Sequence, residues 1–373
     1  MRGAVVVLAC LVLGVVLGNP SWAAEPVSSD KTGGVKSLEE RVAELEAATD
    51  RTVESDKWYD RIRVGGLVEV EAGYGEIDYD DPAIEDEDSS DVDLATVELA
   101  VDAQIHANVD GHVLFKYEDD DLFVDEGYIV LNGGEWCGGY VIAGRQYLPF
   151  GNFDTHFVTD PNTLVLGEIN EGAAVVGYRF LDEKLDVSLG AFNGDAQEAG
   201  DDDAIDSYVG SVKAQPFEGL DLGIAYISNL AGANSFDDAA VLQDPENLDA
   251  LVAGWSAFVT FQFLERFKLI GEYVAALDPF AAGEIYAGDI QARKPSAWNT
   301  ELGVALLDNL ELAVRYGGSD DGGAEFLPET QCGAVVNWGF FKNTNLALEY
   351  LHGEFEEDYQ TTDAVTAQLA VEF

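Results

Sequence analysis

Positive charge is what this sequence has least of: across 373 residues, 19 Lys and Arg stand against 71 Asp and Glu, a net charge of −52. A surface of that sign repels polyanions, which excludes nucleic acid as a partner. Cysteine is scarce as well, with Cys10, Cys137 and Cys332 the only three. No Cys-x-x-Cys-His stretch occurs, so the chain holds no c-type haem of its own. The four histidines, His106, His112, His156 and His352, stand in no recognisable nucleophile setting, and no enzyme is expected. After the leader no segment reaches ~18 uninterrupted apolar residues, which excludes a helical membrane anchor.

What is present points to sheets. Hydrophobic residues make up 47% of the chain and charged residues only 24%, so its acidity does not imply disorder. Glycine (39), Tyr (15), Phe (19) and Trp (6) are the composition of many strands, tight turns and aromatic belts. Arg2, the apolar run Ala4–Gly18 and Ser21-Trp22-Ala23 form a secretory leader over 1–23, cleaved after Ala23. Cys10 lies inside that apolar core and leaves with it. Residues 24–57 read as a periplasmic linker and a short helix, with Val35, Leu38, Val42 and Leu45 at coiled-coil spacing.

From Trp58 onward the period becomes two. Val97, Leu99, Val101, Ala103, Ile105, Ala107 and Val109 alternate with Thr96, Glu98, Ala100, Asp102, Gln104, His106 and Asn108. Strands of this length, apolar on one face and polar on the other, match a transmembrane barrel with lipid outside and water inside. About sixteen such runs fill 58–373 by the spacing of such strands. The expected fold is thus all-β, a transmembrane antiparallel β-barrel. Connections alternate between tight turns (Asp110-Gly111, Leu181–Lys184, Pro216–Gly219, Leu264–Arg266, Leu307–Asn309) and longer acidic loops such as 77–93, 194–205, 231–249, 278–296 and 318–329. Short periplasmic turns and long external loops produce that alternation, which places the chain in the outer membrane with its N-terminus periplasmic. The chain ends on Phe373, closing an alternating strand. The same strand order sets Cys137 and Cys332 a membrane thickness apart, which excludes a disulfide between them.

The functional surface is then the inner wall. Parity points Arg63, Lys116, Arg145, Arg179, Lys213, Lys268 and Arg315 inward, alongside Glu69, Glu71, Glu98, Asp102, Asp221, Glu272, Glu301, Glu311, Glu349 and Glu372. A charge facing lipid at the midplane would cost roughly 2–4 kcal/mol. The loop 149–171, between the fifth and sixth strands, is too long for a hairpin turn and is expected to fold back and narrow the channel. Arg145, Tyr147, Asn152, Asp154, His156 and Asp160 are its candidate constriction residues. Acid excess makes cation preference the default, since rings of fixed charge select ions. The outer stretch Asp78–Asp93 and Asp201–Asp203 are acid-dense without EF-hand spacing. Divalent cations bridging them to lipopolysaccharide are one reading and a saline habitat that selects acidic surfaces is another. No metal or cofactor site is otherwise expected.

The run Gly144-Arg145-Gln146-Tyr147-Leu148-Pro149-Phe150-Gly151-Asn152-Phe153-Asp154-Thr155, then Thr159-Asp160-Pro161, Thr163-Leu164 and Leu166-Gly167-Glu168, resembles the LbtU-type siderophore porin family. Val124-Asp125-Glu126-Gly127-Tyr128-Ile129 is similar to that family's fourth strand. The resemblance is specific over residues 122–170 and implies an outer-membrane barrel, without a large plug domain, linked to uptake of ferric siderophores. A passive water-filled channel for small solutes is the expected function. A general cation-preferring diffusion porin and a sheath around a partner multihaem cytochrome are the alternatives. Outer-membrane lipid and lipopolysaccharide are its surroundings, and assembly as a homotrimer stays open.

Overall fold

The computed structural model describes residues 58–373 apart from 119, 135–137, 201–203, 238–240 and 357–358. The expected leader, linker and short helix, with Cys10, Cys137 and Asp201–Asp203, lie outside the described residues. A 3-10 turn, Trp58–Arg61, leads into sixteen strands. These are β1 (Ile62–Tyr79), β2 (Glu87–His106), β3 (Val109–Glu118), β4 (Asp121–Asn132), β5 (Gly139–Tyr147), β6 (Asn170–Phe180), β7 (Leu185–Phe192) and β8 (Ser207–Phe217). The second half comprises β9 (Leu220–Ile227), β10 (Gly254–Phe263), β11 (Phe267–Ala276), β12 (Ser296–Leu307), β13 (Leu310–Asp320), β14 (Thr330–Phe341), β15 (Thr344–Glu354) and β16 (Gln360–Glu372). Each pairs antiparallel with its chain neighbours, and β1 pairs with β16, so the sheet closes without an edge.

Alternation sets the two faces. On β13, Val314 (49% exposed) and Tyr316 (56%) point outward, whereas Arg315 between them is 3% exposed. Apolar outside and charged inside is the inverse of a soluble sheet, and it follows from solvating the outer face with hydrocarbon. Closure runs from Leu67↔Glu372 to Tyr79↔Gln360. At its lower end Gly66 and Phe373 exchange two backbone hydrogen bonds of 3.0 Å. A Cβ at Gly66 would stand 2.4 Å from the Phe373 ring, so the terminal aromatic uses the space that glycine leaves open.

Two expectations shift. The first tight turn lies at Ala107-Asn108, ahead of Asp110-Gly111, which belongs to β3. Much of the acidic stretch 77–93 is strand, because β1 and β2 continue as a paired hairpin from Ile77↔Glu87 to Glu71↔Asp93, leaving residues 80–86 to turn. Charged side chains are tolerated there because the hairpin extends into water, where neither face needs to be apolar.

The interior is unevenly filled. Loop 148–169 enters the barrel and carries the helix α1 (Asn162–Gly167). With loops 228–253, 277–295 and 321–329 it builds an apolar cluster around Phe150, Leu166, Phe192, Leu230, Phe236 and Phe280. Inward residues of β10–β13, among them Ser256, Val274, Ala297 and Ala313, are consequently buried. Those of β16 and β1–β3, among them Gln368, Glu69, Glu71, Glu98 and Lys116, keep contact with solvent. Solvent contact inside the barrel is therefore concentrated along the β16–β3 wall.

Candidate functional site

The loop turns inward at Pro149-Phe150-Gly151, where Gly151 has φ +94° and a Cβ would strike the Phe153 ring at 2.4 Å. From there it runs along the inside of β11–β15, and wall carboxylates take its backbone N–H groups in pairs. Asn152 N donates to Glu272 at 2.7 Å and Phe153 N to the same carboxylate at 2.9 Å. His156 N donates to Glu301 at 2.7 Å, joined by the Thr155 hydroxyl at 2.8 Å. Val158 N donates to Glu349 at 2.6 Å, and Thr159 adds its N at 3.2 Å and its hydroxyl at 2.6 Å. Each of the three carboxylates takes at least two donors of the loop, so three strands grip it every third residue.

Arg315 locks the middle of this contact. Its Nε lies 2.9 Å from Glu301, Nη2 donates to the Thr155 hydroxyl at 2.6 Å and to Thr159 O at 2.9 Å, and the guanidinium sits 4.3 Å over the Phe157 ring. Phe157 in turn packs on Ala313, Val335, Ala347 and Leu351. Below, the His156 ring bonds Glu311 at 2.7 Å and occupies the space over Gly303, where a Cβ would come within 2.4 Å of it. Asp154 pairs with Lys268 at 3.1 Å.

Several expected roles change here. Asn152, Asp154 and His156 are on the face of the loop tied to the wall. Glu272 and Arg315 point inward as expected but lie beneath the loop, 6% and 3% exposed, so they anchor it instead of lining water. Tyr147 donates to Asp125 at 3.2 Å at the loop's root. Arg145 is on the outward row: it pairs with Gly127 and Gly172, while the neighbouring Gln146 and Gly144 share the inward row with Glu171 and Ala173. Arg179, inward, pairs with Asp186 at 3.5 Å and lies 5.1 Å over Tyr140. Lys213 lies 5.7 Å over Phe258. Arg63 stands opposite Asp102, which bonds His112 at 2.7 Å.

Acids of the loop and of the opposite wall gather around one lysine. Asp160, on the loop, is within the field of Arg315, Lys116, Glu118 and Glu71, and Glu168 within that of Asp160, Lys116 and Asp125. Lys116 is bonded to Glu118 at 3.0 Å and is also within the field of Glu98, Glu69 and Asp125. Six carboxylates (Glu69, Glu98, Glu118, Asp125, Asp160 and Glu168) thus act on one ammonium group, with Glu71 next to Glu69 and Asp160. Enclosure by the barrel pushes the Asp160 carboxyl above its usual range, although water reaches it. Burial, reinforced by Asp160, pushes Glu168 up to about 8.

Asp125, Glu118 and Glu168 were not among the residues that parity selected. Asp125 is the extra residue of a bulge, since Leu114 pairs with Glu126 and Phe115 with Val124, and counting by twos fails across it. Among the described residues no three His, Cys, Asp or Glu side chains converge on a position for a metal ion. Cys332 is a free thiol on the outward row of β14, between Tyr316 and His352.

No family model matches the sequence. An anion-selective porin from Comamonas acidovorans superposes with a TM-score of 0.59 over 84% of this chain and 99% of that one, at 12% identity. Salmonella typhi OmpF, in complex with daunomycin, gives 0.56 over 84% and 97%, also at 12% identity. The trimer form of Vibrio cholerae OmpT gives 0.52 over 84% and 100%, at 13% identity. This chain has the porin fold. In sequence it is similar to UPF0422 proteins, with 25% identity over 268 residues to one from Coxiella burnetii and 22% over 295 residues to one from Legionella pneumophila. It aligns over 67% and 70% of its own length and over 57% and 54% of theirs, so it spans little more than half of each relative.

Proposed function

We propose that this chain is an outer-membrane channel that passes small solutes by diffusion and prefers cations. The observation that carries the reading is the single ammonium of Lys116 among six carboxylates contributed by both the wall and the loop. In a confined lumen such fixed charge raises the local concentration of cations and the barrier to anions. The side of the interior away from this passage is closed by the anchored loop and its apolar cluster, so solutes are steered past the acids. Assembly as a homotrimer in lipopolysaccharide-containing outer membrane completes the proposal, and the solved trimer form of Vibrio cholerae OmpT supports it.

Uptake of ferric siderophores is the finer reading, supported by the resemblance over residues 122–170. The acid-lined passage narrows it to neutral or cationic complexes. Liposome swelling with a graded series of sugars, amino-acid cations, matched anions and a cationic ferric siderophore tests both readings. The proposal expects swelling with small cations and neutral solutes ahead of anions of equal size. No uptake above protein-free liposomes for any solute removes the transport reading, and failure of the iron complex alone removes the siderophore reading.

A further inference from the structure

The acid-dense hairpin that the channel reading leaves unused carries an open sheet edge. β1 and β2 run for 18 and 20 residues, against roughly 9–11 needed to cross a membrane, so their outer halves stand beyond it. β3 joins β2 only from Val97↔Tyr117 inward, which leaves the rim low at β3–β4 and high at β1–β2. Residues 87–96 therefore have β1 on one side and, among the described residues, no strand on the other. The N–H groups of Val92 and Leu94 go to the carboxylates of Asp91 and Asp93 instead, at 2.7 Å each. Unpaired backbone of this kind is a template for another strand, and the aspartates blunt it.

Charge decides what the edge can admit. Residues 87–94 are all exposed, six carboxylates stand between Glu85 and Asp93, and no Lys or Arg occurs between Arg63 and Lys116. The register puts Glu87, Asp91 and Asp93 on one face of the hairpin and Asp88 and Val92 on the other, so both faces of the edge are acidic. Asp120 and Asp121, exposed at the foot of the step, add to the same sign. A second copy of this edge would set acid directly opposite acid, which destabilises a strand pair. A strand bearing ammonium or guanidinium groups draws the Asp91 and Asp93 carboxylates to itself and frees the N–H groups they cover.

We propose that this edge docks an extended, Lys- or Arg-rich segment of another polypeptide, added as a strand beside β2 along the line of β3. Main-chain bonds to the edge supply the affinity, and the acids on both faces reject neutral and acidic strands. Ser89 and Ser90, small residues in the middle of the edge, leave room for long cationic side chains on either face. The proposal rests on the outer-membrane reading, which puts the hairpin on the external side, and is independent of whether the channel conducts.

The test is fluorescence anisotropy of a labelled peptide of alternating lysine and valine, titrated with the full chain folded in uncharged detergent micelles at physiological ionic strength. Heat-dependent gel migration reports barrel folding separately. Two further peptides are compared: the same sequence N-methylated at alternate residues, which keeps every charge and loses the donors of one edge, and a peptide of alternating glutamate and valine. Wild type is expected to bind the first more tightly than the second by about tenfold or more, and the third not at all. Val92→Pro removes one edge N–H at a position where proline is tolerated, and is expected to erase the difference between the first two peptides while keeping the folded migration. Should that variant fail to fold, the comparison of the two cationic peptides on wild type still decides. Equal binding of both would reduce the contact to charge attraction and overturn the proposal. No binding of the lysine peptide, or a difference that survives in folded Val92→Pro, overturns it as well. Loss of the folded migration in wild type would instead contradict the barrel reading.

Discussion

Arg315 on β13 and Glu301 on β12 face each other across the inner wall, Nε to Oε1 at 2.9 Å, with both side chains fully shielded from solvent. The pair is sealed from above by the loop it holds, since Arg315 also reaches the carbonyl oxygens of Thr159 and Asp160. Removing one partner from such a site strands the other charge, at a cost on the order of 3–5 kcal/mol. Arg315→Leu is therefore expected to lower the denaturant midpoint and to release the loop, seen as noisier and larger single-channel conductance. Unchanged conductance steps would show that the loop does not depend on this pair.

Gly303→Val places side-chain atoms where the His156 ring lies, since even a Cβ there comes within 2.4 Å. The ring must leave its bond to Glu311, and overpacking of this kind costs about 1–3 kcal/mol. Reduced stability is expected, together with protease cleavage near His156 that wild type resists. Gly303→Ala is expected to show a smaller shift in the same direction.

Glu168 gives a pH dependence whose sign follows from its raised value of about 8. The unfolded chain ionises this carboxyl near the ordinary 4.5, so the folded state becomes progressively disfavoured as pH rises from there toward 8, and the full penalty applies above. Stability is expected to fall across that window while cation preference increases as the passage gains a charge. Reversal potentials at pH 6 and pH 9 measure the second effect. Glu168→Gln is expected to flatten both trends, and an unaltered pH profile in that variant would locate the titration elsewhere.

Arg293 joins three outer loops, bonding Asp289 at 2.6 Å, Asp321 at 3.2 Å and Glu356 at 3.5 Å. Asp289 is held below its usual range by backbone N–H bonds and by Arg293, whereas burial pushes Glu356 above its own. Arg293→Ala is expected to expose loops 277–295 and 321–329 to limited proteolysis while leaving the barrel's heat-dependent migration intact. Exposed pairs contribute only about 0–1 kcal/mol, and partial burial places this one toward the upper end of that range.

Dyad alternation made the strands legible because a barrel wall has one apolar and one polar solvent, and β6, β7 and β13 alternate almost without fault. The inserted loop was legible from its length and its Pro-Phe-Gly break. The partners of that loop were not, because Glu272, Glu301 and Glu349 sit about 110–190 residues away in sequence and meet it only through closure of the sheet. Parity also misled wherever the backbone departs from strict alternation. The bulge at Asp125 hid a carboxylate at the passage, and Arg145, pointed inward by parity, follows its register outward.

Cation preference at the Lys116 passage is the central claim, and the reversal potential of the purified channel in a planar bilayer under a KCl gradient tests it most directly. A potential of the sign set by K⁺ permeation is expected at pH 8, growing in Lys116→Gln and shrinking in the double variant Glu71→Gln, Glu98→Gln. A potential near zero, or one set by Cl⁻, would contradict the account.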